Sequence, residues 1–172
     1  MKRLLLWSLA IVIVFGFVGI WHKYTYPYGG KPARLPVVMM ALRSFASEHE
    51  GAFPNVNKQP LASLVLLYPR YLADPVDLAG ITGDEKAVVK NVVAGEPLDG
   101  SICSWVYWPG FNDTNDARIA VLWEEKSGVG FNGHRLSGHA VGFVDGSHTQ
   151  IPEQRWNEFL TEQTQLRAAA LK

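Results

Sequence analysis

The chain has 172 residues, of which 48% are hydrophobic, 12% aromatic and 19% charged, and sixteen basic residues balance sixteen acidic ones. That length suits one domain. The balanced charge argues against a nucleic-acid binder, the many large apolar residues argue against disorder, and a single cysteine excludes an internal disulfide framework or a multi-Cys zinc site.

In chain order, residues 4–21 (LLLWSLAIVIVFGFVGIW) carry no charge. As a helix they extend about 27 Å, close to the thickness of bilayer hydrocarbon, so a transmembrane anchor is expected over 1–23. Lys2 and Arg3 before the run favour a cytoplasmic N-terminus, and Trp21, Tyr24, Tyr26 and Tyr28 at its end suit an interface. No A-x-A-like site follows, which argues for a retained anchor over a cleaved signal peptide. With Lys2, Arg3 and Lys23 set aside, the rest of the chain is mildly acidic.

Pro27, Gly29, Gly30 and Pro32 break the helix and mark a linker over 24–34. Residues 35–172 then read as one extracytoplasmic domain. Leu35, Val38, Met39, Leu42, Phe45 and Ala46 recur at helical spacing and predict an amphipathic helix over 35–50, stopped by Gly51 and Pro54. A short helix is expected at 60–68. The stretch 77–100 is broken by Gly80, Gly83, Gly95 and Pro97, and within it 85–93 fits helix or strand.

Residues 102–108 (ICSWVYW), 118–123 (RIAVLW) and 139–144 (HAVGFV) are rich in β-branched and aromatic residues and predict strands. Asp145-Gly146 predicts a hairpin, with 148–151 returning. Pro152 opens a final helix on which Trp156, Phe159 and Leu160 share roughly one face. Helices followed by strands predict an α+β fold, with the amphipathic helix packed on a small antiparallel sheet.

Several segments, taken together and in order, resemble pilin-like proteins: the pseudopilins of type II secretion and their bacterial relatives with a prepilin-type processing-associated H-x9-D-G C-terminal domain. These segments are LRSFASEHEGAFP at 42–54, LLYPRYLADP at 66–75, AVLWEE at 120–125 and GHAVGFVDGSH at 138–148. In the last of these, Gly138, Val141, Phe143, Asp145 and Gly146 carry the family's Gly-x-x-Val-x-Phe-x-Asp-Gly pattern. The chain departs from the family at its start. MKRLLLW lacks the Gly of the leader junction, and the apolar run lacks the Glu of the mature helix, so prepilin-peptidase processing is not expected. The signature also lengthens to H-x10-D-G between His134 and Asp145.

For chemistry, the clustered metal-type residues are His134, His139, Asp145 and His148, a zinc candidate if three or four converge. The turn chemistry of Asp-Gly explains Asp145 without a metal. The loop Asn112, Asp113, Asn115 and Asp116 is a calcium candidate without EF-hand spacing, or an Asx-rich turn. Cys103 reads as a buried, inert thiol. Glu124 and Glu125, adjacent on a strand, point to opposite faces and form no acid pair.

The function expected is a membrane-anchored, pilin-like structural or assembly protein of the bacterial inner membrane, its domain periplasmic or extracellular. It is not expected to be an enzyme and needs no cofactor, with zinc or calcium as the alternative. Its expected partners are the bilayer and other protein chains or copies of itself, not nucleic acid. The helix with Leu35, Val38, Leu42 and Phe45 would be the packing spine, and Trp156, Phe159 and Leu160 would hold the last helix to the sheet. The alternatives are a membrane-tethered metal-dependent hydrolase and a ligand-binding module using exposed Trp105, Tyr107 and Trp108.

Overall fold

The computed structural model describes residues 2–56 and 59–170, with side chains described at Trp7 and then from Ala10 onward. The first helix, α1 (Lys2–Thr25), leads through a breaker-rich linker to α2 (Arg34–Glu48). Pro36 lies in the first turn of α2, where its missing N–H costs no helical bond. The helix stops where Gly51, at φ +84°, returns its N–H to the Ala46 carbonyl at 2.9 Å.

The predicted helix at 60–68 divides into α3 (Pro60–Leu64) and a tighter turn at Val65–Leu67. The ambiguous stretch resolves as a 3-10 turn at Pro75–Ala79 followed by α4 (Glu85–Ala94). Capping decides it for helix. The Asp84 side chain accepts the N–H groups of Lys86 and Ala87, and Gly95 closes the other end in a left-handed conformation.

Strands β1 (Trp105–Tyr107), β2 (Ala120–Glu124), β3 (His139–Phe143) and β4 (His148–Ile151) form an antiparallel meander in the order β1-β2-β3-β4. A short 3-10 turn at Glu153–Arg155 leads into α5 (Trp156–Ala170). The chain is therefore α+β.

The sheet is apolar on both faces. In register, Tyr107, Leu122 and Gly142 align, as do Val106, Trp123 and Val141. Leu122 lies in the cluster that α2 supplies with Leu35, Val38, Met39, Leu42 and Phe45, all buried. Trp123 and Val141 lie in a second cluster with Phe159, against which Trp156 and Leu160 pack. Helices thus cover opposite faces of the sheet, where the sequence pattern had suggested one. A bulge between Ala120 and Leu122 contributes. It inserts a residue, so Val121 and Leu122 both join the α2 cluster while Ala120 and Trp123 serve the α5 side.

Two glycines of the 138–148 motif face α2, and Gly146 is also required by its left-handed backbone at φ +85°. A Cβ at Gly142 would clash with the Met39 thioether, and one at Gly146 would clash with the Arg43 stem. Arg43 also donates to the Asp145 carbonyl, tying α2 to the hairpin.

The membrane expectation is corrected. Among the described residues, no helix is long and apolar enough to cross a membrane. The part of the expected span at 4–6, 8 and 9 lies outside the described side chains. A single-pass anchor, its cytoplasmic N-terminus and an inner-membrane or periplasmic placement therefore have no support.

Candidate functional site

The most exposed apolar surface in the described structure belongs to α1. Ile11, Val12, Ile13, Val14 and Phe15 are consecutive and each more than half exposed. Successive helical residues are turned by about 100°, so this run samples every side of the helix. Trp7, Phe17, Val18, Ile20, Trp21 and Tyr24 continue the exposure. Among the described residues, no other helix or strand packs extensively along α1.

The zinc candidates are dispersed. Sequence reasoning set His139 opposite His148 across the hairpin, but the register pairs His139 with Ile151 and His148 with Gly142. His139 is buried and stacks on the Trp156 indole at 3.7 Å. Its Nδ1 lies 3.3 Å from the Glu124 carbonyl oxygen, and its Nε2 lies 3.5 Å from a Glu153 carboxylate oxygen. His148 is edge-on to Phe131, and His134 is edge-on to Tyr26 beside the end of α1. Asp145 accepts the Ser147 N–H as a turn residue. Among the described residues, no group of three or more His, Cys, Asp or Glu is placed to hold a metal ion.

Three of the four calcium candidates, Asn112, Asn115 and Asp116, are hydrogen-bonded within their own loop. Asn112 accepts the Thr114 N–H and hydroxyl, and Asn115 accepts the Asn112 N–H. Hydrogen bonds from the Arg118 side chain and backbone lower the Asp116 carboxyl to about 2. Asp113 and Asn112 crowd against Gly51.

The exposed-aromatic reading is corrected. Trp105 and Tyr107 are buried, and their polar ends bond to the Asp77 and Pro54 carbonyls. Trp108 is half-buried, with the Arg167 guanidinium 3.2 Å from its ring centroid. Cys103 is buried and donates to the Leu78 carbonyl, and burial pushes its thiol up to about 12. A hollow of about 530 Å³ lies between Pro60, Leu61, Pro97 and Leu98. Its one acid, Asp99, has its pKa lowered by hydrogen bonds from Ser101.

Sequence reasoning missed two buried charges. Glu124 is fully buried on β2 and accepts from Ile81 and Thr82. Arg34 is buried at the start of α2, donates to the Gly80 carbonyl and pairs with Glu85 at 2.9 Å and Asp77 at 3.7 Å. Lys31 also bonds to Glu85. These groups brace the segment 77–85 between sheet and helix. No local signal marks them, because their partners lie 40 or more residues away in the chain.

No family model, no curated protein and no solved structure matches this chain.

Proposed function

We propose that this chain is a pilin-like assembly subunit in which α1 joins copies of the protein and the α+β head is displayed beside it. The observation that carries the reading is the uncovered apolar surface of α1. Its large side chains expose on the order of 1,000 Å² of apolar surface, where the largest patch on a typical monomer is about 300–600 Å². A standard interface needs about 800 Å² from each partner. A helix apolar on every side is the kind that is buried in a larger structure, and a second copy supplies the same surface. The order of the head, α2 on one face of a meander that ends in the Asp-Gly hairpin, is in keeping with the resemblance. The dispersal of His134, His139, Asp145 and His148 gives the hydrolase alternative no convergent site.

Sedimentation and light scattering of the full chain test the reading. The expected result is an assembly of defined mass that Phe15→Asp combined with Val18→Asp returns to a monomer. A wild-type chain that stays monomeric across concentration, or a double variant that assembles unchanged, overturns it.

A further inference from the structure

The joint between α1 and the head is built on the chain segment 128–138, far from it in sequence. The Arg135 backbone N–H donates to the Thr25 carbonyl at 2.7 Å, and the Arg135 Nε donates to the Tyr24 carbonyl at 3.1 Å. Both carbonyls belong to the last turn of α1, which has no further helical N–H to satisfy them. The guanidinium also lies 4.7 Å from the Tyr24 ring centroid and places a positive charge at the negative end of the helix. Two residues on, Tyr26 meets His134 edge-on at 5.2 Å.

The same loop continues along the linker. Lys31 and Arg34 donate their backbone N–H groups to the Asn132 and Phe131 carbonyls, at 3.0 and 3.3 Å. Gly133, at φ +78°, lies so close that a Cβ there would come within 2.7 Å of the Gly29 carbonyl oxygen. The loop is itself closed by Gly130 N–H to His134, Leu136 N–H to Gly128 and Gly128 N–H to Gly138. It therefore has the internal bonding to act as a solid support. The linker it holds contains Gly29 and Gly30, whose Cβ positions meet nothing within 4 Å. Steric resistance in the linker alone would leave α1 free to pivot.

We propose that the 128–138 loop is a latch that holds α1 at one angle to the head, with Arg135 as the residue that closes it. This deepens the assembly reading, on which its consequence rests: copies joined through latched helices display their heads in one orientation. The latch itself is a property of a single chain and holds whether or not copies assemble.

Pulsed electron–electron spin resonance on the full chain tests it. Spin labels are placed at Val14→Cys on α1 and Thr149→Cys on the head, both exposed, while Cys103 is buried and stays unlabelled. The labelled chain is diluted into unlabelled chain, so only distances within one molecule are read. The expected result is one narrow distance distribution that Arg135→Ala broadens at least twofold. Arg135→Lys, which keeps the charge but not the planar fork, is expected to broaden it as well. Arg135 is exposed, so its variants keep a folded head, checked by an unchanged melting temperature. Gly133→Ala provides a second route by forcing loop and linker apart. Equal widths in wild type, Arg135→Ala and Gly133→Ala overturn the latch, and so does a wild-type distribution that is already broad.

Discussion

Glu124 and Ile81 join across the fold. The fully buried Glu124 carboxylate accepts the Ile81 backbone N–H at 2.9 Å. Its other oxygen accepts the Thr82 N–H at 3.2 Å and the Thr82 hydroxyl at 2.7 Å. One side chain of β2 thus replaces the missing backbone partners of the turn that leads into α4. Glu124→Ala strands those donors in a dry setting and is expected to cost about 3 kcal/mol, read by urea denaturation.

The same contact sets a pH dependence. Burial is the largest influence on Glu124 and raises its pKa, and the hydrogen bonds from Ile81, Ser104 and Thr82 offset only part of the rise. The folded chain therefore holds this proton more tightly than the unfolded chain. The stabilising contribution is complete below the ordinary carboxylate range and is lost as pH rises through the raised folded value. Glu124→Gln removes that slope. The stability difference, wild type minus variant, is expected to fall as pH climbs above about 4. Denaturation midpoints across a pH series read it, and a constant difference would contradict the account.

Gly142 and Met39 form a tight contact between β3 and α2. A methyl group at 142 would meet the buried Met39 side chain. Gly142→Ala is expected to destabilise by about 1–3 kcal/mol through overpacking. Combined with Met39→Ala, which opens that space, its cost is expected to shrink. A double-mutant cycle reads a favourable coupling of about 1 kcal/mol. Strictly additive single effects would refute the contact.

Gln163 does for α5 what Glu124 does for the 81–82 turn. It is buried, accepts the Ala120 N–H at 2.7 Å and donates to the Arg118 carbonyl at 2.9 Å, beside the bulge in β2. Gln163→Leu keeps the bulk but leaves both backbone groups unpaired. A loss of about 2 kcal/mol is expected, with faster amide exchange at Ala120. Gln163→Glu keeps the acceptor but loses the donor to Arg118, so it is not expected to restore the wild type.

Arg34 faces Asp77 and Glu85 from a buried position. Burial raises the pKa of Asp77, and Arg34 counters this. Arg34→Met leaves the acid without its cation and is expected to cost about 3–5 kcal/mol. The Asp77 pKa is expected to rise further, which carboxyl-carbon NMR titration reads directly. An unmoved Asp77 titration would show that the pairing carries no weight.

Much of this architecture is visible along the chain. The spacing of Leu35, Val38, Leu42 and Phe45 marks the buried face of α2. The breakers at Pro27, Gly29, Gly30 and Pro32 mark the joint, and Asp145-Gly146 marks the last hairpin. Each is a local signal, because helical period, φ restriction and turn chemistry act within a few residues. The Asp84 cap and Gly95 were equally local and would have settled 85–94 as helix.

Other features were decided only when distant segments met. The separation of His139 from His148 follows from the hairpin register, which depends on how the whole sheet pairs. The bulge at Ala120–Leu122 put apolar residues on both faces, so α5 found a surface opposite α2. Burial of Glu124 and Arg34 came from partners that no local pattern names, and an exposed-looking charge became a brace. The apolar run of residues 4–21 was plain in composition, but composition alone led to a bilayer reading that the described helix does not support. What composition determines is that this surface is apolar. How it is held, through Arg135 at the end of α1, is a matter of tertiary contact, because hydrogen bonds between residues more than 100 apart leave no trace in local sequence.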